Sequence, residues 1–188
     1  MRIIAGKAKG KRLKTPGNDR GVRPLTDFAR SALFNILAEK NVEARFLDIF
    51  AGTGAVGLEA LSRGAKIAIF VELSRPAVKL IRENIELTGF HDRAEVFAVD
   101  AVRAIDILGG KGAQFDIIFL GAPYESPALE KAAKRLAELN VLAPKGVVIA
   151  EHRRQHKIDE SFGKLKKFRD ARYGETVLSF YENSNLSG

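Results

Sequence analysis

The sequence predicts an α/β domain: a mostly parallel sheet of seven strands with an antiparallel C-terminal edge, preceded by a small basic hairpin. Three observations carry this. From residue 45 onward, short apolar runs alternate with stretches whose apolar residues recur at helical spacing. The runs are nearly continuous, as in Phe115-Asp116-Ile117-Ile118-Phe119-Leu120, which suits parallel strands covered on both faces. Near residue 164 the alternation stops, and two extended segments flank Tyr173-Gly174.

Taken in order, Arg2-Ile3-Ile4 and Lys11-Arg12-Leu13-Lys14 are short extended segments around a Gly- and Lys-rich turn, which together make the hairpin. Residues 15–24 form a loop marked by Pro16-Gly17-Asn18-Asp19. Thr26 or Asp27 caps a helix reaching about Glu39, with Ala29, Leu33, Phe34 and Leu37 on one face. Strands are expected at 45–50, 67–72, 94–99, 115–120 and 146–151, and helices at 55–63, 75–87, 101–108 and 127–139. Ser74 stands at an N-cap position ahead of Pro76, and Gly89 follows the end of that helix. Residues 164–171 and 175–181 supply the antiparallel pair. The division expected is a basic arm over 1–24, one α/β domain over 25–183 and a tail over 184–188.

Composition narrows the function classes. With 188 residues, 46% of them hydrophobic and 29% charged, the chain suits one folded domain rather than a disordered one. No run has the length of a membrane span, no secretory signal core opens the chain, and the expected location is the cytoplasm. Lack of cysteine excludes disulfides, thiolate metal sites and cysteine nucleophiles. Residues 1–30 hold nine Lys or Arg against Asp19 and Asp27, which places seven of the eight net positive charges there. That density points to a polyanion, with nucleic acid the natural candidate, although a solvated basic face is the ordinary alternative.

The most informative stretch is Phe46-Leu47-Asp48-Ile49-Phe50-Ala51-Gly52-Thr53-Gly54-Ala55-Val56-Gly57, a strand, a glycine turn and a helix start. The glycine spacing also fits a dinucleotide site. Asp48 beside the turn suits a ligand bearing sulfonium and ammonium charge, such as S-adenosylmethionine, better than a pyrophosphate. Each following strand end adds a polar or special residue: Glu72 for ribose hydroxyls, Asp100 with Ala101 for an adenine edge, then Gly121-Ala122-Pro123-Tyr124. Glu72 and Asp100 could equally cap the helices they precede. Three acids at successive strand ends favour S-adenosylmethionine over NAD(P). His152 and His156 lie four apart, but Arg153, Arg154 and Lys157 around them disfavour a metal, and surface histidines in a basic patch are expected. The turn lacks the Gly-Lys-Ser/Thr ending of a phosphate-binding loop.

The chain resembles the bacterial 16S ribosomal RNA guanine-N2 methyltransferases of the RsmD-like family, from Arg2-Ile3-Ile4-Ala5-Gly6 to Tyr173-Gly174-Glu175-Thr176-Val177-Leu178-Ser179-Phe180-Tyr181. Arg23-Pro24-Leu25-Thr26-Asp27, Ala32-Leu33-Phe34-Asn35-Ile36-Leu37 and the run from Phe50 to Gly64 carry it most specifically. The resemblance implies a class I methyltransferase fold, S-adenosylmethionine as donor, no metal, a monomer, and ribosomal RNA or the assembled small subunit as partner. It implies cofactor contacts at Asp48, Ala51, Gly52, Thr53, Gly54, Glu72, Leu73, Asp100 and Ala101. Catalytic positions fall at Gly121, Ala122, Pro123 and Tyr124, with RNA contacts at Arg2, Lys7, Lys9, Lys11, Arg12, Arg23, Thr26 and Asp27.

One departure bears on the chemistry. The family's fourth-strand motif is Asp-Pro-Pro followed by Tyr or Phe, and here it reads Gly121-Ala122-Pro123-Tyr124. An exocyclic base amine is a poor nucleophile, and the motif normally holds it with a carboxylate, a backbone carbonyl and a stacking aromatic ring. Gly121 supplies no carboxylate. A same-fold protein that binds cofactor and RNA with impaired catalysis is therefore a rival reading, as is a methyltransferase for another nucleic-acid amine. Leu25 and Phe28 also depart from the family pattern, and Phe28 is expected to pack on the core.

Overall fold

Chain order alternates helix and strand much as the periodicity requires: α1 (Asp27–Leu37), β1 (Arg45–Ile49), α2 (Ala55–Ser62), β2 (Ile67–Val71), α3 (Arg75–Thr88), β3 (Ala94–Phe97), α4 (Ala101–Gly110), β4 (Phe115–Leu120), α5 (Ala128–Glu138), β5 (Leu142–Arg153), β6 (Ser161–Phe162), β7 (Leu165–Tyr173) and β8 (Thr176–Asn183). These elements come from a computed structural model, which describes residues 1–16, 25–123 and 126–184. The sheet order is β3-β2-β1-β4-β5-β8-β7-β6, parallel through β5 and antiparallel beyond it. It has eight strands rather than the seven expected. The extra strand, β6, is only two residues long, too short to leave any periodic signal.

Local chemistry sets the helix ends. Thr26 Oγ1 accepts the Ala29 N–H at 3.2 Å to start α1, and Asp100 Oδ1 accepts the Arg103 N–H at 3.0 Å to start α4. α3 ends at Gly89, whose φ of 77° is open to glycine without steric cost. Where boundaries differ from expectation, a specific contact explains it. α1 stops at Leu37 rather than Glu39, followed by a 3-10 turn over Ala38–Asn41. There Asn41, buried, donates Nδ2–H to the Ala60 carbonyl at 3.0 Å and draws the chain over α2. β5 begins at Leu142, which pairs with Phe115 before a register shift that lets Pro144 pass without a ladder bond.

Each parallel strand sends alternate residues to opposite layers. Phe46, Ala68, Phe70, Ile117, Phe119, Val147 and Ile149 pack toward α1 and α2, whereas Leu47, Ile49, Ile69, Val71, Ile118 and Leu120 pack toward α4 and α5. This alternation decides which layer the residues just past the strand ends face.

The two limbs of the N-terminal segment are joined by one antiparallel bridge, Arg2↔Arg12, and by backbone bonds from the Ile3 N–H to the Lys11 carbonyl at 3.0 Å and from the Leu13 N–H to the Met1 carbonyl at 3.2 Å, and the segment is docked on the domain. The Ile4 and Ala5 N–H groups donate to Glu59 at 2.8 and 3.0 Å, and the Lys7 N–H donates to the Ser62 carbonyl at 2.8 Å. Ile3, Ala8 and Leu13 are buried beneath the arm. A Cβ on Gly6 would lie 1.9 Å from the Ser62 carbonyl oxygen, so the arm approaches α2 closely only because residue 6 has none. Arg30, buried on α1, donates to the Arg2 carbonyl at 2.6 Å and to Asp27 Oδ1 at 2.9 Å.

Candidate active site and nucleic-acid face

The sheet order reverses between β1 and β4, and connections there leave toward opposite layers, opening a crevice at the carboxyl ends. The two strands stay in register to that edge, where the Gly121 N–H donates to the Ile49 carbonyl at 3.1 Å.

On the β1 side, the turn is built from backbone donors and carboxylate acceptors. β1 ends at Ile49, not at residue 50, because Phe50 turns into the left-handed region with φ 65°, an uncommon setting for a bulky residue. Gly52 and Gly54 follow with φ 57° and 76°. Gly54 caps α2 with no side chain, and Asp48 from β1 does the capping instead: its Oδ2 accepts the Gly57 N–H at 2.9 Å. Gly57 makes that possible, since a Cβ there would meet the Phe70 ring at 2.4 Å. Asp48 is buried, and burial, reinforced by the charges of Glu72 and Glu151, pushes its carboxyl up to about 7 against the pull of the Gly57 bond.

Glu72 bridges from the next strand. Its Oε2 accepts the Gly52 N–H at 2.9 Å, and its Oε1 accepts the Ser74 N–H at 2.8 Å. A carboxylate offers about four lone-pair sites, so two remain for a ligand. The Thr53 carbonyl accepts Asn84 Nδ2–H at 2.9 Å, which ties the turn to α3, and Ala51 is buried beneath it. Leu73 is 66% exposed and lines a cavity of about 500 Å³ together with Glu72, Asp100, Ala101 and Phe50. A volume in that range accommodates a nucleoside-sized ligand. Phe50 and Lys131 line it too, and sequence reading missed both: Phe50 looked like strand core, and Lys131 like an ordinary surface position on α5.

A second, smaller cavity of about 160 Å³ adjoins the first, and Pro123 and Ser126 line both. Ala122 and Glu151 contribute to its wall. Thus Pro123 stands at the junction of the two cavities and Ala122 lines the smaller one, with Gly121 just before them in the chain, while Tyr124 lies outside the described residues. His152 also lines the smaller cavity, yet it is buried rather than a surface residue of a basic patch. Its Nε2 lies 2.8 Å from Ser179 Oγ, Ser179 donates to Asp170 at 2.6 Å, and burial lowers the imidazole pKa.

The candidate RNA contacts divide. Arg2, Lys7, Lys9, Lys11 and Arg12 are exposed on the arm, though Lys11 Nζ–H donates to the Leu87 carbonyl at 2.8 Å. Thr26 and Asp27 have local work, as helix cap and as ion-pair partner of Arg30, and Arg23 lies outside the described residues. Phe28 does not pack on the core: it is 72% exposed, with its ring centroid 5.8 Å from that of Tyr173 in an edge-to-face arrangement.

A parallel sheet in this order, with an antiparallel strand inserted beside β5 and an acidic, glycine-turned crevice at the switch point, defines the class: a class I methyltransferase. Comparisons carry it further. A family model described as conserved hypothetical protein 95 matches residues 1–182, and the chain belongs to that family. It is 34% identical over 182 residues to the Bacillus subtilis protein YlbH, covering 97% of this chain and 98% of that one. It is 36% identical over 151 residues to ribosomal RNA small subunit methyltransferase D of Escherichia coli K12, covering 80% and 74%. The solved Escherichia coli yhhF structure superposes with a TM-score of 0.83 at 31% identity, over 97% of each chain. Among the described residues, no helix is long and apolar enough to cross a membrane.

Proposed function

We propose that this chain transfers a methyl group from S-adenosylmethionine to the exocyclic N2 amine of a guanine in small-subunit ribosomal RNA, acting as a cytoplasmic monomer on the RNA or the assembled particle. The observation that carries the reading is the pair of contiguous cavities meeting at Pro123 and Ser126: one of nucleoside size lined by two acids, Glu72 and Asp100, one smaller beside Ala122 and Glu151. Two substrates that must exchange a one-carbon group need adjoining pockets. The kinship with ribosomal RNA small subunit methyltransferase D supports the choice of acceptor.

The residues present fit the cofactor. Glu72 and Asp100 place negative charge around a pocket that would hold a cation, with Asp48 buried behind the turn, and the turn from Ala51 to Gly54 lets backbone approach closely. Glu72 would take the ribose hydroxyls with its two remaining acceptor sites, Leu73 and Ala101 would flank the adenine, and Asp100 would accept from its amino group. When bound, S-adenosylmethionine supplies an electrophilic methyl carbon on a positively charged sulfur. The Ala122 carbonyl would accept from the acceptor amine, Pro123 would hold the loop's direction, and Tyr124 would stack on the base. The arm over residues 1–24 would grip phosphates through Arg2, Lys7, Lys9, Lys11, Arg12 and Arg23, positioning the RNA without reading its sequence.

The test is methyl transfer from labelled S-adenosylmethionine to small ribosomal particles lacking the modification, followed by nucleoside analysis. Label in N2-methylguanine is the expected result. Label in another nucleoside would move the acceptor, and binding of both substrates without transfer would return the impaired-enzyme reading that Gly121 raises.

A further inference from the structure

We propose that Glu151, at the end of β5, supplies the acceptor-binding carboxylate that β4 lacks at Gly121; this rests on the methyl-transfer reading above. Strand register comes first. β4 and β5 run parallel with Leu120 paired to Ala150, so the next residues, Gly121 and Glu151, lie side by side. Side-chain alternation comes second. Ile117 and Phe119 face the same layer as Val147 and Ile149, and continuing that alternation sends Gly121 and Glu151 to the same layer as each other. The distance agrees: a Cβ built on Gly121 would stand 3.7 Å from Glu151 Oε2. The Glu151 carboxylate therefore sits beside the place where a side chain on Gly121 would begin.

Two further observations give that carboxylate a task. Glu151 lines the smaller cavity together with Ala122 and Pro123, the loop that borders the cofactor-sized cavity. It is only 8% exposed, so its carboxylate stands in the cavity wall largely screened from bulk water. The site is also closed to the simpler solution on β4. A Cβ on Gly121 would meet the Phe119 ring edge at 2.9 Å, so the space that a residue-121 side chain would need is already taken by a buried aromatic.

In the transfer step, Glu151 accepts a hydrogen bond from one amine proton and turns the nitrogen lone pair toward the methyl carbon. The nitrogen–carbon bond forms as the carbon–sulfur bond breaks, and the sulfur keeps that electron pair. The methylated nitrogen then sheds its extra proton to Glu151 and on to water, leaving the carboxylate as it began.

Glu151→Gln is the test, because it keeps shape and removes charge. Single-turnover methyl transfer to unmodified small ribosomal particles is measured beside cofactor and particle affinity. By analogy with removing one transition-state contact, the rate should fall about 10²- to 10³-fold with both affinities nearly unchanged. A rate close to that of the unaltered protein overturns the proposal. So does a rate loss matched by an equal loss of cofactor affinity, which would place Glu151 in the Asp48 cluster alone. If Glu151→Gln does not fold, Glu151→Asp decides. Drawing the carboxylate back by one methylene should lower the rate roughly tenfold without changing KM, and an unchanged rate overturns the proposal. Absence of transfer by the unaltered protein is a different failure, that of the proposed function itself.

Discussion

The two sides of the crevice are built on different principles. On the β1–β3 side, carboxylates hold backbone: Asp48 takes the Gly57 N–H, Glu72 takes those of Gly52 and Ser74, and Asp100 takes that of Arg103. On the β4–β5 side, the chemistry depends on which side chains two neighbouring strands place next to each other, Gly121 against Glu151 with Phe119 beneath. The first half is a preformed receptacle whose acids are committed before any ligand arrives. The second is a juxtaposition in which one strand can stand in for another. On the proposed role of Glu151, a glycine at the fourth strand end is not in itself a lesion.

The contrast can be broken most severely at Glu72. Replacing it with Ala removes the acceptor of two backbone N–H groups and the proposed ribose contact together. Cofactor affinity should drop about 100-fold, the scale of one or two charged hydrogen bonds, with particle affinity unchanged by filter binding. Equal loss of both affinities would show that the two sides are not separable.

Next in size is Gly57→Ala, which drives a methyl group into the Phe70 ring and crowds the Asp48 oxygen 3.2 Å away. Overpacking of this kind costs about 1–3 kcal/mol, read as a lower thermal midpoint, and cofactor affinity should fall with it because the turn shifts.

Asp48 sharpens the comparison through pH. Its carboxyl titrates near 7 in the folded chain, against 3.8 for an unperturbed group, so between these values the folded state holds a proton that the unfolded chain has lost. Stability from this residue is thus present at low pH and declines as pH rises from about 4 through about 7, a loss that Asp48→Asn should abolish in urea titrations at several pH values. A bound sulfonium favours the carboxylate, so cofactor affinity should rise by up to about tenfold as pH goes from about 6 to about 7, with proton release visible by calorimetry in two buffers.

The smallest effect belongs to the arm. Lys7→Glu with Lys9→Glu should weaken particle binding a few-fold and reduce the salt slope by about 0.7–0.9 per lost phosphate contact, with cofactor affinity unaffected. An unchanged slope would make the arm's charge a solvated surface.

This division also explains what was legible in the sequence. The receptacle half could be read because its determinants are local: a strand, a turn that needs positive φ at Gly52 and Gly54, and acids placed by the strand ends. Helix caps at Thr26 and Asp100 are equally short-range. What escaped depends on distant residues. Phe50 reads as the sixth residue of a strand and instead makes the turn, because the chain must bend at once toward α2. Asp48 was expected beside a ligand and lies buried under the turn, holding Gly57. His152 carries no hydrophobic signal, and its burial follows from Ser179 and Asp170, 27 and 18 positions away. The docking of the arm was not legible because the bonds that fix it run to Glu59 and Ser62, more than 50 positions on.

That fixation reaches beyond stability. The arm spends its backbone amides on α2, whose first turn leaves the cofactor crevice and whose last turn holds the arm at Ser62. Eight helical residues span about 12 Å, a length that cannot stretch. On the proposed function, a phosphate gripped by Lys7 or Lys9 would be held at a set distance from the crevice, as a jaw of a calliper is held by its beam. Lengthening that beam would change which nucleotide is presented before it changed how tightly the RNA is bound.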